Sequence, residues 1–358
     1  MKAFLFRLFR NNEIAVHELN YLFWECTTRC NLHCRHCGSD CSVQSREKDM
    51  PLEDFLGAVD TIPKKEIPKD FTVVLTGGEP LLRPDIGEVG CALRSRGLHW
   101  GIVSNGYFYT EAMQEKLLSA GLGALTISLD GLEESHDWMR GRKGSFQRAS
   151  SAIRIASKSP RINSDVVTCV NHRNIDELED IHSHLLSLGV KAWRLFTIIP
   201  IGRAASDPDM SLSPDEMRRM MEFIKRKRKE NDPRMTTSFS CEGYLGKELD
   251  TEVRNYGHFC RAGVNIASVL IDGTICACPN VDRVAFFQGS IYKDNFHDVW
   301  CNKFQSMRDH SWAKVGPCKD CKSWKDCLGG GMHNWHADLG GPLVCHMDIL
   351  SRASGGAQ

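Results

Sequence analysis

Short apolar, β-branched runs recur along the first two hundred positions, with helix-like stretches between them. The runs span residues 21–25, 71–76, 100–104, 124–129, 164–170 and 192–198. Helix-start or helical patterning begins at Pro51, Pro84, Thr110, Glu133 and Asn174. Strands that alternate with helices predict an α/β fold with a parallel sheet. Six such units are too few for a closed eight-stranded barrel. Beyond about residue 235 the sequence predicts that this alternation stops.

Polar and glycine-containing segments fall where the predicted strands end. They are Thr76-Gly-Gly-Glu-Pro80 after the second run, Ser104-Asn-Gly106 after the third, Ser128-Leu-Asp-Gly131 after the fourth and Pro200-Ile-Gly-Arg203 after the sixth. Active sites of parallel sheets lie at the carboxyl ends of the strands. We therefore expect the functional site at this edge.

Three cysteines follow the first run at close spacing. Cys30, Cys34 and Cys37 are separated by three residues and then by two. Iron–sulfur clusters are normally held by four thiolates, so three thiolates would leave one iron open for chemistry. A zinc site is the alternative, because zinc takes four nitrogen or sulfur ligands. The fourth zinc ligand would then come from a nearby residue: His33, His36, Cys26 or Cys41.

The triplet and the segment at residues 76–80 together resemble the motifs of the radical S-adenosylmethionine (radical SAM) enzymes. The resemblance implies a partial (β/α)6 TIM-like barrel and a 4Fe–4S cluster held by Cys30, Cys34 and Cys37. It also implies that S-adenosylmethionine binds the open iron and is cleaved to a 5′-deoxyadenosyl radical. A Gly-Gly-Glu-Pro segment alone would be weak evidence for this family, because turns commonly use these residues. Its place one strand after the triplet makes the pair specific.

The resemblance also implies which residues contact S-adenosylmethionine. Residues that match cofactor-binding positions are Gly77, Gly78, Glu79 and Pro80 for the methionyl amine, Ser104 and Asn105 for the ribose, Ser128 and Arg140 for the carboxylate, and the backbone of His36 for the adenine. A guanidinium fork suits a carboxylate. The alternative for each serine and asparagine is turn or capping chemistry, which such residues often perform at strand ends.

A second group of cysteines lies in the last third of the chain. Its spacing resembles the SPASM extension, a domain of many radical SAM enzymes that holds up to two auxiliary 4Fe–4S clusters. Matched residue by residue, one complete cluster would use Cys318, Cys321, Cys327 and Cys345. Without the resemblance, these four thiols could equally form a zinc ribbon.

The second auxiliary site departs from the family pattern. It would have Cys260 and Cys278, with Cys241 as a less regular third ligand, while the next cysteine of the motif is replaced by Gly331. The missing ligand could come from Cys276, His333 or a substrate group, or the cluster could be of a different type. With the SPASM motifs included, we expect the chain to have four parts. They are an N-terminal segment (1–19), a radical SAM partial barrel (20–234), a SPASM-type auxiliary-cluster domain (235–348) and a C-terminal tail (349–358).

The general base is not at its expected place. Sulfatase-maturing relatives have an aspartate directly after the cysteine that matches Cys278, and here Pro279 follows it. Asp282 could serve from a shifted position and is our candidate catalytic residue. Cys91, Cys169 and Cys301 lie in apolar or helical surroundings, and we expect them to be inert core residues.

Charge and composition exclude several classes of protein. The 45 basic and 45 acidic residues balance, so nothing predicts a nucleic-acid partner. No run approaches 18 apolar residues, and Arg7 and Arg10 interrupt the apolar N-terminus, so we expect neither a spanning helix nor a signal peptide. We expect a cytoplasmic protein without a membrane partner. Sixteen cysteines in a long chain then predict metal ligands more than disulfides.

The resemblance predicts a radical SAM/SPASM oxidoreductase that removes hydrogen from an unactivated C–H bond. Most SPASM relatives modify peptides or proteins, so we expect a peptide substrate, with a flavodoxin or ferredoxin as electron donor. A small-molecule enzyme for oxidative decarboxylation or dehydrogenation is the alternative. The segment before the first strand, about 20 residues, favours it, since a separate peptide-binding domain needs more than about 40 residues. A non-enzymatic zinc protein is a remote third possibility.

Overall fold

Ten strands form one continuous sheet in the computed structural model, which describes residues 2–45, 47–240, 242–336 and 340–352. The strands are β1 (Tyr21–Thr27), β2 (Thr72–Gly77), β3 (His99–Ser104), β4 (Ala124–Ser128), β5 (Asn163–Cys169), β6 (Ala192–Phe196), β7 (Thr236–Phe239), β8 (Ile266–Val269), β9 (Thr274–Cys276) and β10 (Gly289–Ser290). Their order across the sheet is β10-β9-β8-β1-β2-β3-β4-β5-β6-β7.

Helices connect the parallel strands and cover the sheet. They are α1 (Lys2–Val16), α2 (Leu52–Val59), α3 (Ile86–Ser95), α4 (Glu111–Ser119), α5 (Glu133–Arg140), α6 (Ser145–Ser157), α7 (Leu178–Ser187), α8 (Pro214–Glu230), α9 (Lys247–Val253), α10 (Phe296–Asn302), α11 (Gln305–Arg308), α12 (Trp324–Cys327) and α13 (His346–Arg352). Short 3₁₀ turns complete the connections.

The six predicted strands are present, and the predicted α/β class with a TIM-like partial barrel is confirmed. Strands β1 to β7 pair in parallel, each with its neighbour along the chain. The alternation continues one unit further than expected, because α8 leads into β7 at residues 236–239. The prediction that it stops near residue 235 was therefore wrong by one strand. A Ser213–Glu216 capping box and Pro214 at the first turn start α8.

One face of the parallel strands is apolar and packs against the helices. Residues in register on this face, such as Trp24 beside Leu75 and Ile102, are almost completely buried. Trp24 stacks on Phe55 of α2 with ring centroids 4.2 Å apart. The opposite face is only partly buried and carries polar groups, including an Arg194–Asp165 ion pair. This alternation gives the barrel a polar concave side.

The C-terminal region joins the same sheet and does not form a separate layer. Strand β8 pairs in parallel with β1, with Tyr21 opposite Ile266, and β9 and β10 extend it by antiparallel pairing. A single hydrogen-bonded ladder therefore crosses the boundary expected at residues 234 and 235. Among the described residues, no helix has the length and apolarity to cross a bilayer.

Gly90 on α3 lies where there is no room for a side chain. A Cβ at this position would come within 2.3 Å of the Trp100 ring and 2.8 Å of the Ala120 methyl group. Overpacking of a core typically costs 1–3 kcal/mol. We therefore expect Gly90→Ala to lower the free energy of unfolding by about 1–3 kcal/mol, measured by anaerobic denaturant titration.

Gly57 on α2 is the matched control. It is also a helical glycine, but a Cβ there would meet nothing within 4 Å. Gly57→Ala should stabilise the protein by about 0.5–1 kcal/mol, because alanine loses less backbone entropy in a helix. Equal effects of the two substitutions would contradict this account of the helix–sheet packing.

Candidate active site and auxiliary metal sites

The three predicted cluster cysteines lie together in the loop that follows β1. Cys30 and Cys34 are buried and Cys37 is partly buried, and they pack with Leu32, Cys41 and Tyr107. Burial raises the pKa of Cys30 to about 11, with the neighbouring Cys34 and Cys37 sulfurs adding to the shift. The Cys41 thiol hydrogen-bonds Cys37 and lowers its pKa. The structure therefore brings the triplet together at the carboxyl edge of the sheet.

Cys26, the other cysteine near the triplet, points elsewhere. It is fully buried within β1, and its thiol donates to the Thr76 carbonyl oxygen at 3.4 Å. Cys26 and Cys41 were both considered as a fourth zinc ligand. Cys41 lies beside the triplet, whereas Cys26 is hydrogen-bonded to β2.

Gly77 and Gly78 allow the cysteine loop to pack directly on the end of β2. Gly77 has φ +121°, and a Cβ on it would lie 2.1 Å from the Thr27 carbonyl oxygen. A Cβ on Gly78 would lie 2.1 Å from the Arg29 carbonyl oxygen. The backbone N–H groups of Gly78 and Glu79 donate to these two oxygens. The two glycines, which the resemblance assigns to the methionyl amine, thus closely approach the protein's own backbone, and their contact with S-adenosylmethionine stays a prediction.

Glu79 is fully buried and ties three segments together. Its carboxylate accepts from Ser104 Oγ at 2.8 Å, Asn105 N at 2.8 Å and Leu81 N at 3.1 Å. Burial raises the pKa of Glu79, and these hydrogen bonds oppose the shift. Asn105 Nδ2 in turn donates to Asn31 in the cysteine loop at 3.0 Å. The carboxylate was predicted beside an exposed backbone; in the structure it orients the β3 end against the triplet.

Arg140, at the end of α5, links the triplet to a buried carboxylate. Its guanidinium lies 2.5 Å from the Asp130 carboxylate and 3.6 Å from the Cys34 sulfur. Burial opposes ionisation of Asp130, but Arg140 and His36 outweigh it and hold the pKa of Asp130 below its usual range. Sequence analysis gave Asp130 no role, although it is the polar residue in the segment after β4.

Arg203, after β6, binds the backbone of the cysteine loop. Its Nε donates to the Cys34 carbonyl oxygen at 2.7 Å, and Nη1 and Nη2 each donate to the Cys41 carbonyl oxygen at 3.3 Å. Its backbone N–H donates to the Cys37 carbonyl oxygen at 3.1 Å. Nη1 also pairs with the exposed Asp40 carboxylate at 2.6 Å. The sequence located this arginine at a strand end but assigned it no task.

The remaining predicted cofactor residues lie at the same edge. Pro80 starts the turn after Glu79, and Ser128 ends β4 as a partly buried residue. Burial lowers the pKa of His36 to about 4, so its ring is neutral, and its Nδ1 has no hydrogen-bond partner among the described residues. Direct contact of any of these residues with S-adenosylmethionine stays a prediction.

Four cysteines of the C-terminal region surround one small cavity, which we call the outer site. Cys318, Cys321, Cys327 and Cys345 line a space of about 60 Å³ together with Pro317, Trp324 and Gly330. Cys321 and Cys345 are exposed to solvent, while burial raises the pKa of Cys327 to about 12. The sequence grouped these thiols by spacing, and the structure places them around a shared volume.

The cysteines assigned to the second auxiliary site, the inner site, are distributed differently. Cys260 Sγ lies 3.5 Å from the Met332 backbone nitrogen, next to Gly331. Cys278 is partly buried just beyond β9, and Cys276 is buried within that strand. Cys241 lies outside the described residues. The ligands of this site therefore stay a prediction.

Asp282 is engaged by local partners. Oδ1 accepts from the backbone nitrogens of Val284 and Ala285 at 2.9 and 3.0 Å, and Oδ2 pairs with His336 Nδ1 at 2.9 Å. Burial opposes ionisation, but these partners lower its pKa overall. A role for Asp282 as general base stays a prediction.

One expectation about the other cysteines was wrong. Cys91 is exposed on α3 and is not a core residue. Cys169 and Cys301 are partly buried, and burial raises the pKa of both thiols, which fits the predicted low reactivity.

Comparison with known proteins agrees with this arrangement. A family model of the radical SAM superfamily matches residues 24–185, and one of an iron–sulfur cluster-binding domain, SPASM, matches residues 260–322. The chain is 29% identical over 324 residues to the AdoMet-dependent heme synthase of Methanosarcina barkeri, covering 86% of this chain and 89% of the relative. It is 27% identical over 316 residues to the mycofactocin maturase MftC of Mycolicibacterium smegmatis, covering 87% and 77%.

The fold is also similar to a solved structure. The crystal structure of SuiB from Streptococcus suis bound to S-adenosylmethionine superposes with a TM-score of 0.70 at 15% identity, covering 95% of this chain and 80% of SuiB. The chain thus belongs to the radical SAM superfamily and has a C-terminal SPASM domain. It is a radical SAM enzyme, whose cofactors are S-adenosylmethionine and a 4Fe–4S cluster. Its SPASM domain is an iron–sulfur cluster-binding domain.

The thiols of the triplet and of the outer site fit iron–sulfur clusters. Two buried thiols and one partly buried thiol share one loop with a cationic side chain beside them, and four thiols line one cavity at the outer site. Iron–sulfur clusters are bound by such thiolate sets. Within the described ranges, no three Cys, His, Asp or Glu side chains gather closely enough to hold a single metal ion.

Replacing Glu79 tests the network at the β3 end. Glu79→Ala removes the acceptor of three hydrogen bonds and leaves the N–H groups of Asn105 and Leu81 buried without a partner. Loss of charged hydrogen bonds costs about 1.5–3 kcal/mol, so affinity for S-adenosylmethionine should fall roughly tenfold to a hundredfold. Titration of the cluster's visible spectrum measures it. Glu88→Ala, on the exposed face of α3, is the control; unchanged affinity in Glu79→Ala would contradict the role.

Replacing Arg203 tests how the cysteine loop is held. Arg203→Ala removes the side-chain donors to two loop carbonyls, so we expect loss of about four irons per chain during anaerobic gel filtration without S-adenosylmethionine. Arg203→Lys keeps the charge but not the fork and should lose iron more slowly. Arg35→Ala removes a nearby exposed ion pair to Asp207 and should retain its iron. Equal iron retention in all three variants would show that Arg203 does not hold the loop.

Proposed function

We propose that this radical SAM/SPASM enzyme oxidises its substrate by removing a hydrogen atom from an unactivated C–H bond and then one electron. The observation that carries the proposal is the presence of two separate thiol sites in one chain. The triplet lies at the carboxyl edge after β1, and the outer site has two solvent-exposed thiols, Cys321 and Cys345. The first site suits radical generation, and the second suits a group that exchanges electrons.

Each site has a distinct task in this proposal. When bound at Cys30, Cys34 and Cys37, the cluster and S-adenosylmethionine supply a 5′-deoxyadenosyl radical, as the protein cannot with its own side chains. Glu79 and Asn105 fix the loop geometry, and the neutral His36 and the Asp130–Arg140 pair enclose the far side of Cys34. Cys318, Cys321, Cys327 and Cys345 would hold an acceptor for the substrate electron.

A small molecule with carboxylate groups is the substrate class that we propose. The similarity to an AdoMet-dependent heme synthase over most of both chains supports it. Two guanidinium groups, of Arg142 and Arg148, flank the Tyr107 ring at 4.3 and 5.6 Å, and neither forms a salt bridge with an acidic side chain among the described residues. Exposed arginines are common on surfaces, but Tyr107 packs against the triplet. These cations therefore lie where a substrate carboxylate would approach.

Oxidative decarboxylation is consistent with this set of groups. Hydrogen abstraction next to a carboxymethyl group leaves a radical that forms a C=C bond when it loses carbon dioxide and one electron. The carbon dioxide leaves, the hydrogen goes to 5′-deoxyadenosine, and the electron goes to the SPASM acceptor. The reaction balances with S-adenosylmethionine and one reducing electron as the only co-reactants.

A peptide substrate is the second candidate. The similarity to a mycofactocin maturase, at 27% identity, favours it specifically. A peptide C-terminus also bears a carboxylate, so the same arginines would suit it. The two candidates differ in the molecule that carries the carboxylate, and this is what the experiment must distinguish.

The electron donor is proposed to be a small acidic protein such as a flavodoxin or ferredoxin. Four exposed lysines, Lys314, Lys319, Lys322 and Lys325, lie in the segment that carries three outer-site cysteines, against one exposed aspartate, Asp320. Such an excess of positive charge steers negatively charged partners. The donation should therefore weaken with rising salt concentration.

The test is anaerobic incubation of the holoenzyme with S-adenosylmethionine and reductant, followed by mass spectrometry. For each side chain that reacts, an iron porphyrin with propionic acid side chains should lose carbon dioxide and two hydrogens, that is HCOOH in total mass, with 5′-deoxyadenosine formed in equal amount. The Arg142→Ala/Arg148→Ala double variant should raise KM for it roughly tenfold, by loss of about 1.5 kcal/mol of charged hydrogen bonding. Arg142 Nη1 also donates to the Asn31 carbonyl oxygen in the cysteine loop, so Arg148→Ala alone is the variant whose cleavage of S-adenosylmethionine without substrate should not change.

The controls test the triplet assignment and the substrate class separately. A Cys30→Ala/Cys34→Ala/Cys37→Ala variant should form no 5′-deoxyadenosine, and continued formation would refute the triplet assignment. A mass change in a panel of peptides with free C-terminal carboxylates, with none in the porphyrin, would replace the first substrate class by the second. Cleavage without any substrate product in either set would refute both classes.

A further inference from the structure

Gly331 stands where the SPASM pattern has a cysteine, and the space next to it is already filled. A Cβ on Gly331 would lie 2.6 Å from His333 Cε1, 3.0 Å from His333 Nδ1 and 2.5 Å from the Glu242 carbonyl oxygen. Real Cβ atoms do not approach this closely, so no side chain fits at residue 331 without movement. The His333 ring therefore occupies the volume that the missing cysteine would use.

Cys260, assigned to the inner site, lies beside the same turn. Its sulfur is 3.5 Å from the backbone nitrogen of Met332, the residue between Gly331 and His333. Met332, His333 and Asn334 form a short 3₁₀ turn that begins at Gly331. The turn thus carries the imidazole and the contact to the thiol on adjacent residues.

The other described candidate is directed elsewhere. Cys276 is fully buried within β9, and its thiol faces the Phe286 carbonyl oxygen at 3.7 Å. Its backbone pairs with Ser268 in the β8–β9 ladder. Cys278, two residues later, lies beyond the strand and is partly buried. Cys260 and Cys278 lie on either side of the β8–β9 hairpin, which pairs antiparallel through Ser268–Cys276 and Val269–Ile275.

We propose that His333 is a ligand of the inner auxiliary iron–sulfur cluster, in the place of the cysteine that Gly331 replaces, together with Cys260 and Cys278. Histidine ligates iron in some clusters, and replacement of thiolate by neutral imidazole raises the reduction potential. An inner cluster with a raised potential would accept an electron from a substrate radical more readily. The inference rests on the proposed iron–sulfur function, but it concerns ligand identity, which can be measured without turnover.

The experiment uses the full-length holoenzyme, reconstituted without oxygen and without S-adenosylmethionine. Iron and acid-labile sulfide are counted, and pulsed EPR of the reduced protein is recorded with natural and ¹⁵N-histidine. We expect about twelve irons, from three four-iron clusters, and a nitrogen coupling that changes with the label. His333→Ala should retain about eight irons and lose the coupling. The eight remaining irons would show that the variant is folded.

Two further variants make the test specific. His333→Cys should keep about twelve irons, lose the nitrogen coupling and lower the reduction potential of one cluster. His336→Ala, three residues away and paired with Asp282, should keep both the iron count and the coupling. About twelve irons with an unchanged nitrogen coupling in His333→Ala would overturn the assignment. A wild-type protein with about eight irons and no nitrogen coupling would overturn it as well, while leaving S-adenosylmethionine cleavage, and so the proposed function, intact.

Discussion

The loop that carries the triplet has almost no regular secondary structure, so its shape depends on hydrogen bonds from outside it. Arg203 donates to two of its carbonyl oxygens, and the Gly78 and Glu79 backbone N–H groups donate to two more. Arg83, buried beside Trp24, donates to the carbonyl oxygens of Cys26, near the end of β1, and Met50, just before α2. Unpaired backbone groups in such a loop would be costly. The positions of the thiols are therefore set by β2, β3 and β6.

Two acidic side chains at the carboxyl edge of the sheet are buried. Glu79 and Asp130 are both completely buried, yet each has partners that compensate it: three hydrogen-bond donors for Glu79 and the Arg140 guanidinium for Asp130. A buried charge without such partners would be strongly destabilising. Both carboxylates belong to strand ends, where backbone N–H groups are available, which explains why polar residues can be concentrated there.

Sequence patterns predicted the strands, the edge where they end and the grouping of cysteines, because these depend on local periodicity and spacing. Asp130 and the clamp made by Arg203 could not be predicted, because their partners lie 10 to 169 positions away along the chain. Glu79, Ser104 and Asn105 were all named as candidates, but their hydrogen bonds to one another were not predicted, because Ser104 and Asn105 follow Glu79 by about 25 residues and become adjacent only when β2 and β3 pair. In the sequence, Gly331 showed only that a cysteine of the SPASM pattern is missing. The structure shows that the His333 ring packs beside it.

The pairing of β8 with β1 has a mechanical consequence. The strand that leads into the triplet is hydrogen-bonded to the hairpin that separates Cys260 from Cys278, over four consecutive residues. The two halves of the chain cannot hinge about a linker at this point, because bending would break that ladder. The distance between the triplet and the segment that carries Cys260 and Cys278 is therefore fixed by the sheet, and an electron that passed between clusters at these two places would cross a constant length. The rate of this transfer would then respond to driving force and hardly at all to domain motion.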